Sequence, residues 1–138
     1  HMTFIALLAS AGLIIIAAVH LLWALGIWWP IKDETALARA VVGSKGIKKM
    51  PGATSCSLVV VALLFAAAWP WFPDTAIKSL GLFCIAVVFQ LRAIAAYAPL
   101  MKRATPEQPF RRLDETYYAP LCMVFGVIFM VLAGVSAA

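Results

Sequence analysis

The chain has 138 residues, 64% of them hydrophobic and only 12% charged, with a formal net charge of +5 and a mean hydropathy of +0.98. An ordinary soluble domain is about half apolar and about a quarter charged. The composition therefore excludes most soluble folds, disordered chains and fibrous repeats, and the length fits one integral membrane domain over residues 1–138.

His1 reads as a cloning remnant ahead of Met2. The first apolar run covers about residues 4–29, broken only by Ser10 and His20. It is too long for a signal-peptide core and has no basic residue before Phe4, so it is expected to be a retained helix. Trp28, Trp29 and Pro30 mark its end, as interfacial aromatics and a ladder breaker. The loop at 31–54 carries a candidate short amphipathic helix, with Asp33 as cap and Ala36, Leu37, Ala40 and Val41 as its apolar stripe.

The second run covers about residues 55–72 and ends in Trp69-Pro70-Trp71-Phe72-Pro73. Only a few residues around Asp74 separate it from the third run, 76–100, so the two are expected to form an antiparallel hairpin. The loop at 101–116 contains Thr105-Pro106-Glu107-Gln108, a helix-start pattern. The fourth run covers 117–135. Each run meets the length a bilayer demands, and no stretch alternates like a barrel strand. The predicted fold is all-α, a polytopic four-transmembrane-helix bundle.

Nine Lys and Arg residues fall in the two long loops, and one, Lys78, on the other side. By the positive-inside rule both long loops face the cytoplasm and both termini the periplasm. His20 then lies about 15 Å of helix before Pro30, and Arg92 about 12 Å before Leu100. Asp114, Tyr117 and Tyr118 stand where the fourth helix enters. All share the inner half of the bilayer.

At regular helical spacing His20 and Trp23 share a face, and so do Asp114, Tyr117, Tyr118, Leu121 and Phe125. Gln90 and Arg92 sit about 200° apart on the third helix, so they are expected to point to different places. A membrane-embedded guanidinium needs an anion. Asp114 is the expected partner of Arg92, as structural glue. The alternatives are a basic pocket for an acidic headgroup and simple snorkelling. The default for His20 is an interhelical contact to Tyr118 or Ser57. Cys56, Cys84 and Cys122 show no metal-ligand spacing and read as free, packed thiols.

His20-Leu21-Leu22-Trp23-Ala24-Leu25-Gly26, Trp29-Pro30, Val42-Gly43, Met50-Pro51-Gly52, Leu91-Arg92-Ala93 and Arg112-Leu113-Asp114, followed by Tyr118, Pro120, Leu121 and Cys122, form an ordered set of motifs. Together they resemble the small bacterial four-helix membrane protein family catalogued as domain of unknown function 3995. The resemblance implies a bacterial inner membrane and the four-helix architecture. It implies no activity.

The leading functional expectation is a binding module. It would hold an anionic or amphipathic small molecule or lipid in a cytoplasmic-leaflet pocket lined by His20, Trp23, Gln90, Arg92, Asp114, Tyr117 and Tyr118. The alternatives are a structural or accessory subunit without its own ligand, and a membrane-embedded enzyme or small transporter. The chain has no asparagine and no carboxylate in the first three runs, which disfavours the last pair. Expected partners are membrane lipid, a small amphipathic ligand, and a second copy or larger membrane complex. No cofactor, metal or nucleic acid is expected.

Overall fold

The computed structural model describes residues 2–137; His1 lies outside them. Helix α1 is Met2–Ala24, α2 is Glu34–Val41, α3 is Ala53–Ala68, and α4 is Ala76–Ala95. Helix α5 is Pro99–Ala104, α6 is Phe110–Leu113, and α7 is Ala119–Ala137. A 3₁₀ turn at Trp69–Trp71 extends α3, and a π turn at Asp114–Tyr118 fuses α6 to α7. Four stretches are long and apolar enough to cross a membrane: Met2–Ala24, Ala53–Trp71, Ala76–Ala95 and Phe110–Ala137. Their lateral surfaces expose large apolar side chains such as Phe4, Ile15, Leu58, Ile77 and Val88. In water these would be an aggregation hazard; against acyl chains they are solvated. The chain is a multi-pass membrane protein.

The local sequence explains the helix ends. The first run stops at Ala24, short of the expected Trp29, because Gly26 takes a φ of +79°. The Ile27 N–H then reaches back to Leu22 O at 2.8 Å, a C-terminal cap that favours glycine at its left-handed position. Helix α2 forms where expected: Asp33 accepts a hydrogen bond from the Ala36 N–H at 2.9 Å. Its Leu37, Ala38 and Ala40 are buried. The sixteen residues of α3 rise about 24 Å. Its 3₁₀ turn adds about 6 Å, which reaches the thickness of the hydrocarbon core.

The expected 76–100 helix ends at Ala95, because Pro99 holds Ala98 in an extended conformation and starts α5 instead. Thr105 to Gln108 start no helix: α6 begins at Phe110, with Pro109 before it. The fourth span therefore starts seven residues ahead of the expected 117, and Asp114 lies inside it.

Helix α3 packs mainly on α1, and α4 mainly on α7. The short link between α3 and α4 does not make them the principal packing pair. Trp69 connects the halves: its Nε1 donates to Lys78 O at 2.9 Å, and its indole covers Gly81 so closely that any Cβ there would collide. The core joins Ala6, Ala9 and Leu13 of α1, Ala66 and Ala67 of α3, Leu82 and Ala86 of α4, and Phe125 and Phe129 of α7. Small residues let the backbones approach, as membrane helices require. Ser10 Oγ donates to Ala67 O at 2.7 Å, and Ser79 Oγ to Ala133 O at 2.9 Å. Met2, Trp71, Asp74 and Ser136 line one opening, so both ends of the described chain share a face with the α3–α4 link. The two long loops meet at the opposite face.

Candidate functional site

Asp114 is the centre of the loop-side face. Its side chain has no exposed surface. Arg92 Nη2, from α4, donates to Oδ1 at 2.8 Å, and Arg111 Nη2 donates to Oδ2 at 2.7 Å. Arg92 Nη1 lies 3.4 Å from Oδ2, which completes a forked contact. The Arg111 guanidinium also donates to Thr105 Oγ1 at 3.1 Å and stands 5.6 Å from the Phe110 ring centre. Its Nε is 3.0 Å from Glu115 Oε2, close enough for an ion pair but without hydrogen-bond geometry. Two arginines therefore meet two carboxylates, and Lys102 Nζ, 3.8 Å from Glu115 Oε1, adds a third cation at the exposed edge.

The π turn sets this geometry. Asp114 O accepts the Ala119 N–H, one residue further on than in an α-helix. Pro120 has no N–H to continue that register, so the Glu115 carbonyl is left open. The Tyr97 hydroxyl donates to it at 2.7 Å. The wider turn also breaks the face expected from regular spacing. Asp114 and Phe125 are buried, whereas Tyr117 is 64% and Leu121 45% exposed.

A clasp ties the two long loops together. Glu107 Oε1 pairs with Arg39 at 3.3 Å, and its Oε2 accepts from the Gly46 N–H at 3.3 Å. The Glu107 N–H donates to Gly43 O at 3.1 Å, and the Lys45 N–H to Ala104 O at 3.2 Å. Tyr118 takes part: its hydroxyl donates to Ala40 O at 2.9 Å.

His20 and Trp23 lie elsewhere, on a small open cavity of about 130 Å³ between α1, the end of α2 and the start of α3. Met50, Ser55 and Cys56 share its wall. The two rings meet edge to face at 4.8 Å. His20 Nδ1 bonds to Ile16 O at 2.8 Å, rather than to Tyr118 or Ser57. Trp23 Nε1 donates to Trp29 O at 2.7 Å, pinning the chain after α1. Gln90 packs across Gly126 of α7, where a Cβ would come within 2.5 Å of its Cγ. Gln90 meets α7 at Gly126, whereas Arg92 meets the π turn at Asp114, so the two point to different places. The seven candidate residues are gathered in separate places. Arg92 and Asp114 form the ion cluster, Tyr118 joins the clasp, His20 and Trp23 line the cavity, Gln90 lies between α4 and α7, and Tyr117 faces outward.

Residues 13–129 match the family described as "Protein of unknown function (DUF3995)". The chain belongs to the DUF3995 family. No curated protein and no solved structure shows significant similarity to it.

In this DUF3995 member Arg111 and Glu107 are ion-pair residues that the sequence did not single out, whereas Glu115 was the other carboxylate placed near Arg92. Arg111 and Glu107 both lie in the stretch 101–116, which reads as loop. Pro120 was the available signal, because a proline inside a helix disturbs the hydrogen bonds of the preceding turn. Met50 and Cys56 gave no local signal. They reach the His20 cavity because the start of α3 and the loop before it pack beside α1 and the end of α2.

Proposed function

We propose that this protein is a structural or accessory subunit of a bacterial inner-membrane assembly, with the long loops in the cytoplasm and both termini in the periplasm. One observation carries the reading: Asp114 is sealed between Arg92 and Arg111, and Glu115 stands beside Arg111, so each arginine already faces a carboxylate of this chain. A cluster whose charges face one another holds helices in register. The orientation rests on the loop-side concentration of basic residues.

A second reading keeps a ligand. The Arg92 side chain is 34% exposed, so a lipid headgroup could share its outer edge. The cavity beside His20, at about 130 Å³, is smaller than the roughly 300 Å³ at which small-molecule sites begin, which disfavours an amphiphile there. Native mass spectrometry of the gently extracted protein separates the two. The accessory role predicts a defined complex with another membrane polypeptide. An isolated chain carrying an anionic amphiphile that Arg92→Leu abolishes would replace it with the ligand-binding reading. Labelling of a Lys45→Cys variant in intact cells tests the orientation: reaction with an impermeant thiol reagent from the periplasm would overturn it.

A further inference from the structure

The cavity beside His20 has a lining the accessory role does not use. His20, Met50 and Cys56 bring an imidazole, a thioether and a thiol to one small wall. At about 130 Å³ the cavity is well below the roughly 300 Å³ at which organic-ligand sites begin. We propose that this cavity binds one monovalent soft metal ion, Cu(I), through His20 Nε2, Met50 Sδ and Cys56 Sγ.

Three observations support the assignment. First, His20 Nδ1 lies 2.8 Å from the Ile16 carbonyl. A carbonyl only accepts, so Nδ1 carries the proton and Nε2 keeps its lone pair. A ring nitrogen held by a backbone carbonyl is the arrangement that orients metal-binding histidines. Second, the Cys56 thiol sits 3.8 Å from Pro51 O, and Met50 immediately precedes that proline, so the start of α3 and the loop before it bring both residues to the same wall. Third, charge selects the metal. Met50 and Cys56 are 8% and 4% exposed, and no carboxylate lines the cavity. Thioether and thiolate ligands favour Cu(I). One thiolate cancels the charge of Cu(I), whereas Zn(II) would leave a positive charge in apolar surroundings, which is costly. Binding forms a sulfur–copper bond and releases the Cys56 thiol proton to water, and no electron is transferred.

The test is anaerobic titration of the purified full-length protein with Cu(I), using bicinchoninate as competing chelator. The wild type withdraws one equivalent per chain, and X-ray absorption shows mixed sulfur and nitrogen neighbours. Met50→Leu keeps the side-chain volume, so it isolates the ligand role from packing. Met50→Leu and Cys56→Ser each weaken binding at least about tenfold, the lower end of what losing even an outer-shell partner costs. Cys84→Ser, on an exposed face of α4, binds as the wild type does. Failure to withdraw Cu(I), equal binding by Cys56→Ser, or equal uptake of Zn(II) overturns the proposal. None of these results depends on a partner subunit, so the accessory role stands or falls separately.

Discussion

Arg92 and Arg111 hold opposite oxygens of one carboxylate, at 2.8 Å and 2.7 Å, and that carboxylate, Asp114, has no exposed surface. The two contacts have different structural roles. Arg111 belongs to the same helical stretch as Asp114, three residues before it, and satisfies the charge locally. Arg92 comes from α4 and is the tie between spans. A membrane-embedded carboxylate without such partners would protonate or drag in water.

The interlocked loops make a prediction at glycine. Gly43 and Gly46 both have positive φ, +70° and +72°. A Cβ on Gly43 would also collide with the Phe110 ring, whereas nothing lies within 4 Å of one on Gly46. Gly46→Ala should cost about 1–2 kcal/mol, the backbone penalty alone. Gly43→Ala should cost clearly more, because the added Cβ meets Phe110 as well. Thermal melts in detergent check the order.

At the opposite face, Asp74 should titrate below the ordinary carboxylate range. The Lys78 ammonium hydrogen-bonds to Oδ1 at 2.7 Å and adds its charge, and Ser136 Oγ lies at 3.3 Å. The lowered folded value gives this contact a stability contribution present above the ordinary carboxylate pKa. The contribution is lost as pH falls through the folded value. Carboxyl-resolved NMR titration checks it: Lys78→Met should move the Asp74 midpoint back up.

The four spans were legible because hydrocarbon imposes length and apolarity on any segment that crosses it. The Asp33 cap and the stripe of α2 were legible because both are local. The boundaries that moved did so for backbone reasons. Gly26 at positive φ cut α1 short, and Pro99 cut α4 short. The π turn at Asp114–Tyr118 turned an expected loop into helix and rotated Tyr117 out of the face shared with Asp114. A fixed helical period cannot anticipate an inserted residue. The pairing of Arg92 with Asp114 was nevertheless reachable, since a buried guanidinium has few anions to choose from. Arg111 was not, because only α6 and the π turn after it seat its guanidinium on Asp114.

The Asp114 cluster also predicts an order of damage. Arg92→Leu leaves Asp114 paired with Arg111 and removes one charged tie, a loss of about 1.5–3 kcal/mol. Asp114→Leu leaves two arginines facing each other, and breaking such a buried pair costs about 3–5 kcal/mol. Chemical denaturation in micelles should therefore rank Asp114→Leu below Arg92→Leu.

The most direct test of the claim that this cluster braces the helices is a double-mutant cycle on Arg92 and Asp114, measured by unfolding in detergent. The account predicts that Arg92→Leu combined with Asp114→Leu is more stable than Asp114→Leu alone, with a coupling energy of at least about 1 kcal/mol. Strictly additive losses, with the double variant worse than either single one, would contradict it.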